Sequence, residues 1–146
     1  AWVLQGRGGV RARRSLTAIF AMMTLGAAGG AFLMLFGEPL SVLLFGERHG
    51  TSAMTMLWLG VAYFAVSSST PFIRNILIPG GLAFGVFLAT IACAVSGIAT
   101  MVIGGGASGA PGIALGLAVS ETLMLVASIG MSFRLGLRGS KDLRLD

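Results

Sequence analysis

The chain has 146 residues, 55% of them from the set AVILMFWYC, with 10% charged and a mean hydropathy of +0.93. Soluble domains carry about 25% charged residues, so this sequence lacks the material for a water-facing surface and most soluble classes are excluded. The net charge of +5 does not mark a nucleic-acid binder, because the basic residues sit at the ends of apolar segments without the interleaved aromatics of single-strand binding surfaces.

Nothing is charged between Arg14 and Glu38, between Arg48 and Arg74, or from Asn75 to Ser120. Runs of 18 or more such residues are long enough to cross a hydrocarbon layer of about 30 Å. The spacing predicts an all-α integral membrane bundle of four spans, 15–36, 51–74, 82–103 and 112–133, followed by a basic tail over 134–146. A membrane barrel is disfavoured, since barrel strands alternate apolar and polar residues and these runs are apolar on every face.

Breakers separate the spans. Gly37 and Pro39 are expected to end the first, Pro79-Gly80-Gly81 to divide the second from the third, and Gly104 through Pro111 to divide the third from the fourth. The stretch from Glu38 to Gly50, apolar between charges, is expected to lie as a short helix at the outer interface. Three small-xxx-small pairs, Gly26/Gly30, Gly81/Gly85 and Gly112/Gly116, are candidate points of close helix approach.

Orientation follows from the basic residues. A cytoplasmic N-terminus places Arg7, Arg11, Arg13, Arg14, Arg74, Arg134, Arg138, Lys141 and Arg144 inside and only Arg48 outside, which satisfies the positive-inside rule. Both termini are then cytoplasmic. The first apolar run is too long for a signal-peptide core, and a chain beginning at Ala1 reads as a piece of a longer protein, with a processed N-terminus as the alternative.

The chemical inventory is small. Cys93 and His49 are the only residues of their kinds, so no internal disulfide or Cys/His metal set can be assembled, and no cofactor or metal site is expected. Nucleophile–base, paired-carboxylate and metal catalysis each need several converging ionisable groups. The spans hold one carboxylate and no histidine, so an enzyme is not expected. The sequence GGGASGAP resembles a phosphate-cradling loop only in its glycines, without the Lys-Ser/Thr ending or a preceding strand.

Two features carry polarity into the bilayer. At 100° per residue, Gly60, Tyr63, Ser67, Thr70, Pro71 and Arg74 share one face of the second span. Such a stripe should face other helices or water in a cavity; equally, Ser67 and Thr70 can bond back to their own helix while Arg74 snorkels to headgroups. Pro71 should disturb the helix by removing the bond to the Ser67 carbonyl. In the fourth span, Glu121 falls roughly 13 Å along the helix from Gly112, on a face with Ala114, Ala118, Leu125, Ser128 and Ser132. An intramembrane carboxyl is a coupling or gating candidate for a proton, cation or cationic partner, or else a hydrogen-bonded packing element. Trp58, Cys93 and the eight methionines read as packing or interface residues.

The order of these pieces resembles the C-terminal part of the polysaccharide and lipid-linked oligosaccharide flippases, within the multidrug/oligosaccharidyl-lipid/polysaccharide exporter superfamily. The similarity lies in RARRSLTAIFAMM, then FGEPLSVLLFGERHGTSAMTMLWLG, then SSSTPFIRNILIPGG, then GASGAPGIALGLAVSE, and it covers nearly the whole chain. His49 stands where the family commonly has an aromatic, and Pro79 where it tends to small polar residues. The resemblance implies a two-lobe transporter of the cytoplasmic membrane that moves a lipid-linked glycan by alternating access. This chain would supply the end of the second lobe, and its partners would be membrane lipids, the glycan substrate and the remaining N-terminal helices, not nucleic acid. Arg74, Tyr63, Ser67 and Thr70 would then be substrate-binding candidates and Glu121 the coupling candidate. Two other readings compete: a small four-helix oligomer, either a compact multidrug exporter or an assembly subunit, and a drug/cation antiporter of the same superfamily.

The topology is testable by accessibility labelling of a Cys93→Ala protein. Ser108→Cys should react with an impermeant maleimide in intact cells and Ser140→Cys should not; the reverse pattern refutes both termini being cytoplasmic.

Overall fold

The computed structural model describes residues 8–47 and 50–142, with side-chain surroundings for 16–47 and 50–135. The expectations for Arg48, His49 and the side chains of Arg7, Arg11, Arg13, Arg14, Arg138, Lys141 and Arg144 therefore lie outside the described residues. Four helices account for the fold: α1 (Gly8–Phe45), α2 (Ala53–Phe72, extended by a π-helical turn Ile73–Leu77), α3 (Ala83–Ser108) and α4 (Ala110–Asp142). Among the described residues there is no strand. Their apolar stretches Leu16–Phe45, Ala53–Leu77, Ala83–Ser108 and Ala110–Leu135 are each long and apolar enough to cross a membrane.

The first span runs further than expected. The helix passes straight through Gly37 and Pro39 and ends only at Phe45, so the separate interfacial helix from Glu38 to Gly50 does not form. Proline inside a helix costs about 3 kcal/mol, but this part of α1 is held by its neighbours. Gly37 is buried against Met56, Ser41 is buried and accepts a hydrogen bond from the Thr51 backbone N–H, and Val42 packs on Gly50. The stop comes at Gly46, whose φ of 80° is the left-handed cap conformation that favours glycine. The 30-residue apolar stretch is roughly 45 Å long, and tilt or protrusion must absorb the excess over the hydrocarbon thickness.

The turn between α3 and α4 is also tighter than expected. Gly104, Gly105 and Gly106 remain helical, and Gly109 alone makes the reversal, with φ 67° and ψ −133°. Pro111 sits in the first turn of α4, where its missing N–H has no helical partner to lose. The glycines serve a contact instead of a loop: a Cβ on Gly112 would collide with the backbone of Gly104. The reversal between the second and third helices matches the sequence reading, with Pro79-Gly80-Gly81 as a turn and Gly81 at φ 79°. Pro71 stays within α2, and the departure from α geometry follows it as the π turn, where the Ile78 N–H reaches the Ile73 carbonyl at 3.0 Å.

Packing orders the helices α1, α2, α4, α3, with α1 and α3 at the two edges. The central α2 and α4 have 33% of their most apolar window buried and the edge helices 17%, so large apolar faces of α1 and α3 are left for lipid or further helices. The α1–α2 seam is built on glycine. A Cβ on Gly30 would lie 2.8 Å from the Gly60 carbonyl oxygen, and one on Gly26 2.8 Å from the Ser67 Cβ. On the α3–α4 seam, Gly97 meets Ser120 while Gly116 meets Met101. Two of the three small-residue pairs thus mark real seams. Gly81 and Gly85 do not: Gly81 forms the turn, and Gly85 approaches only the sulfur of Met131. Met34, Met56 and Met101 each lie over a seam glycine, the gap-filling use suited to a flexible thioether.

α2 presents Met56, Gly60, Tyr63, Phe64 and Ser67 to α1. Its buried Ala62, Ala65 and Ser69 fall on the opposite side of the helix and face α4. On α4 the residues against α3 are Gly112, Gly116 and Ser120, so the buried Ala114, Ala118 and Ser128 are turned toward α2.

The seams give a paired prediction. Gly60→Ala and Gly112→Ala should each lower stability by about 1–3 kcal/mol through overpacking, although alanine is the better helix former. Gly130→Ala, where a Cβ meets open space, should raise stability by up to about 1 kcal/mol. Denaturant titration in mixed micelles measures all three, and equal stability of the seam variants and Gly130→Ala would remove the close-contact account.

Candidate functional site

Glu121 lies near the middle of the candidate span Ala110–Leu135, on the α4 face that carries Ala114, Ala118 and Ser128. It is half-buried and lines a groove of about 340 Å³ together with Leu117 of α4, Leu59, Tyr63 and Val66 of α2, and Leu33 of α1. The groove holds no basic side chain. A second hollow of about 280 Å³ shares Leu59 and Leu117 with it and continues toward the Gly109 end past Thr55, Ala114 and Met101. The two lie end to end as a trough along the α2–α4 seam, with α1 beside the section at Glu121 and α3 beside the section at the Gly109 end.

The small-residue face read from the sequence is therefore real, but it does not enclose Glu121. Glu121 stays half-exposed on the wall of the trough, whose lining comes from α1, α2 and α4.

The polar stripe of α2 is split. Gly60, Tyr63 and Ser67 face α1, where the Tyr63 ring lies against Gly29. Only Tyr63 of that stripe also lines the trough with Glu121. Thr70 donates its hydroxyl to the Val66 carbonyl at 2.7 Å, the local back-bond that makes it a helix-satisfied residue. Arg74 is exposed on the π turn, away from the trough lining. Tyr63 and Glu121 are thus brought together, while Ser67, Thr70 and Arg74 are not brought to them.

Two residues were missed by face counting. Arg134 borders a hollow of about 220 Å³ with Leu82, Met131 and Leu135, beside the Gly80-Gly81 turn; its position just past Phe133 made it visible only as a topology charge. Ser68 is fully buried, and its Oγ has no hydrogen-bond partner. The neighbouring hydroxyls do find carbonyls, Ser69 at Val66 and Ser128 at Met124. Only the tertiary packing of α2 could reveal which of three consecutive serines would be sealed without a partner.

Among the described residues no group of three His, Cys, Asp or Glu side chains could hold a metal ion. Chemically, the surface of the trough is almost wholly apolar and laterally open, with Glu121 and Tyr63 among the side chains that line it. Comparisons with protein-family models, curated proteins and solved structures find no match for this chain.

Removal of the unpaired hydroxyl is a direct test of the burial of Ser68. A buried polar group without a partner costs about 1–3 kcal/mol, so Ser68→Ala should stabilise the protein by about 1 kcal/mol in the same micelle titration. A loss of stability would show that Ser68 holds a hydrogen bond.

Proposed function

We propose that the chain forms part of a membrane transporter that moves a lipid-linked glycan across the cytoplasmic membrane, with both of its termini on the cytoplasmic side and its trough facing the rest of a two-lobe assembly. The observation that carries this reading is the trough itself. An amphiphile that crosses a bilayer needs a surface that accepts its apolar chain from the side and offers its headgroup polar contacts at depth. The trough is apolar along its length, opens laterally, and holds Glu121 and Tyr63 near mid-span. Polar and ionisable groups are costly in hydrocarbon and mark substrate or ion paths when they occur there.

Arg74 has a separate part in this reading. It is exposed at the end of the second span, next to the inner turn. A guanidinium there can hold phosphate oxygens in a two-pronged hydrogen bond, which suits capture of a pyrophosphate headgroup before it enters the membrane. Arrangement of the helices as an open row favours a role inside a larger assembly, since the apolar edges of α1 and α3 are left without protein cover.

Purified protein in liposomes, given a fluorescent polyprenyl-pyrophosphate oligosaccharide, tests the proposal by quenching of the label that remains outside. Glu121→Gln keeps shape and hydrogen bonding but removes the ionisable group, and Arg74→Gln removes the fork of donors. Each should lower the translocation rate about tenfold or more, corresponding to at least about 1.4 kcal/mol, with normal insertion. Wild-type rates in both variants would overturn the reading.

A further inference from the structure

The hollow beside the Gly80-Gly81 turn differs from the trough in that part of its wall is polar. Leu82, Met131, Arg134 and Leu135 line it, and of these only Arg134 has a polar side chain. Packing fixes its shape. Leu135 lies against Gly80, where a Cβ would come within 2.7 Å of its Cδ1, and the Met131 sulfur approaches Gly85. The turn and the start of α3 are thereby held against the part of α4 that carries Arg134.

No described carboxylate lies near this guanidinium. Among the described residues the acidic side chains are Glu38 and Glu47, toward the other end of the bundle, and Glu121, which precedes Arg134 by roughly 20 Å of helix. The charge around Arg134 is positive. Arg74 is exposed at the same end, on the π turn that packs on α4. The helix α4 continues to Asp142, so Arg138 and Lys141 follow Arg134 at spacings of four and three residues on one helical face. In sequence, Arg134, Arg138, Lys141 and Arg144 stand against only Asp142 and Asp146.

At about 220 Å³ the hollow is smaller than the pockets of roughly 300–1,000 Å³ that enclose a drug-sized molecule. It suits the head of an amphiphile whose tails lie outside. A surface for those tails begins next to it, because the exposed apolar residues of α3 start at Phe84, just past Leu82, and continue through Leu88 and Ile91. A free phosphate would leave the apolar walls uncovered, and a zwitterionic head would bring a second cation to a basic surface.

We infer that the hollow between Arg134 and the Gly80-Gly81 turn binds the head of an anionic phospholipid. Arg134 holds the phosphate oxygens, Leu82, Met131 and Leu135 seat the glycerol and the first methylenes, and the acyl chains run along the start of α3. Basic pockets between transmembrane helices recognise anionic headgroups in this way. The site stands on the shape and charge of this end of the bundle and does not depend on the transport proposed above.

Quenching of a single tryptophan by brominated lipids tests it. The reporter is the Trp2→Phe, Trp58→Phe, Phe84→Trp protein in phosphatidylcholine vesicles, into which brominated phosphatidylglycerol or brominated phosphatidylcholine is titrated. Phosphatidylglycerol should occupy the site beside the reporter about fivefold more tightly than phosphatidylcholine, and Arg134→Gln should remove the difference. Arg138→Gln combined with Lys141→Gln takes away more charge but leaves the hollow intact, so it should lower the preference less than Arg134→Gln does. Equal quenching by the two lipids overturns the inference without recourse to any charge variant. An equal or larger loss in the Arg138→Gln, Lys141→Gln protein also overturns it, because the preference would then belong to diffuse surface charge. Thermal stabilisation by inorganic phosphate that depends on Arg134, without a lipid preference, assigns the hollow to a free anion and overturns it too. None of these arms measures transport, so failure of the lipid site and failure of the proposed function are separate results.

Discussion

Close approach of helix backbones is the constraint on which this structure depends. In lipid there is no hydrophobic gain from bringing two apolar helices together, so association relies on van der Waals contact and a few polar links. Glycine makes that contact possible here. Gly30 and Gly60 face each other across α1–α2, and Gly104 and Gly112 across α3–α4, with no room for a Cβ on any of them. Methionines and serines then fill the spaces beside the touching backbones. The same packing explains why Gly37, Gly104 and Gly105, which would break helices in water, stay helical: they are contact surfaces on long, otherwise apolar rods.

A second consequence is the order of the helices. Since the glycine seams occupy one face each of α2 and α4, the opposite faces of those helices are free to meet through Ala62, Ala65, Ala114 and Ala118. Small residues on that contact leave the surface above it concave, and the trough with Glu121 is the result. An ionisable residue in such a place is neither sealed in the core nor solvated. The trough beside it is what links the packing of the bundle to the proposed transport.

Much of the architecture was legible in the residues. Charge-free runs determined four helices long enough to cross a membrane, because helical rise and bilayer thickness fix the required length. Pro79-Gly80-Gly81 determined the turn between the second and third helices, and the pairs Gly26/Gly30 and Gly112/Gly116 marked two of the seams. The face of α4 that carries Glu121 followed from helical periodicity alone.

Tertiary structure decided the rest. Contacts with α2 carry α1 through Pro39 to Phe45, where the local signal of Gly37 and Pro39 says stop. Whether the polar stripe of α2 acts as one surface depended on its neighbours: α1 takes Ser67, the helix itself satisfies Thr70, and Tyr63 alone reaches the trough. The partnerless hydroxyl of Ser68 arises from its complete burial in the assembled bundle, and the half-open setting of Glu121 from α2 packing on α4 instead of on α3, its neighbour in sequence. Periodicity assigns a residue to a face of its own helix, but which helix, if any, covers that face is a property of the assembled bundle.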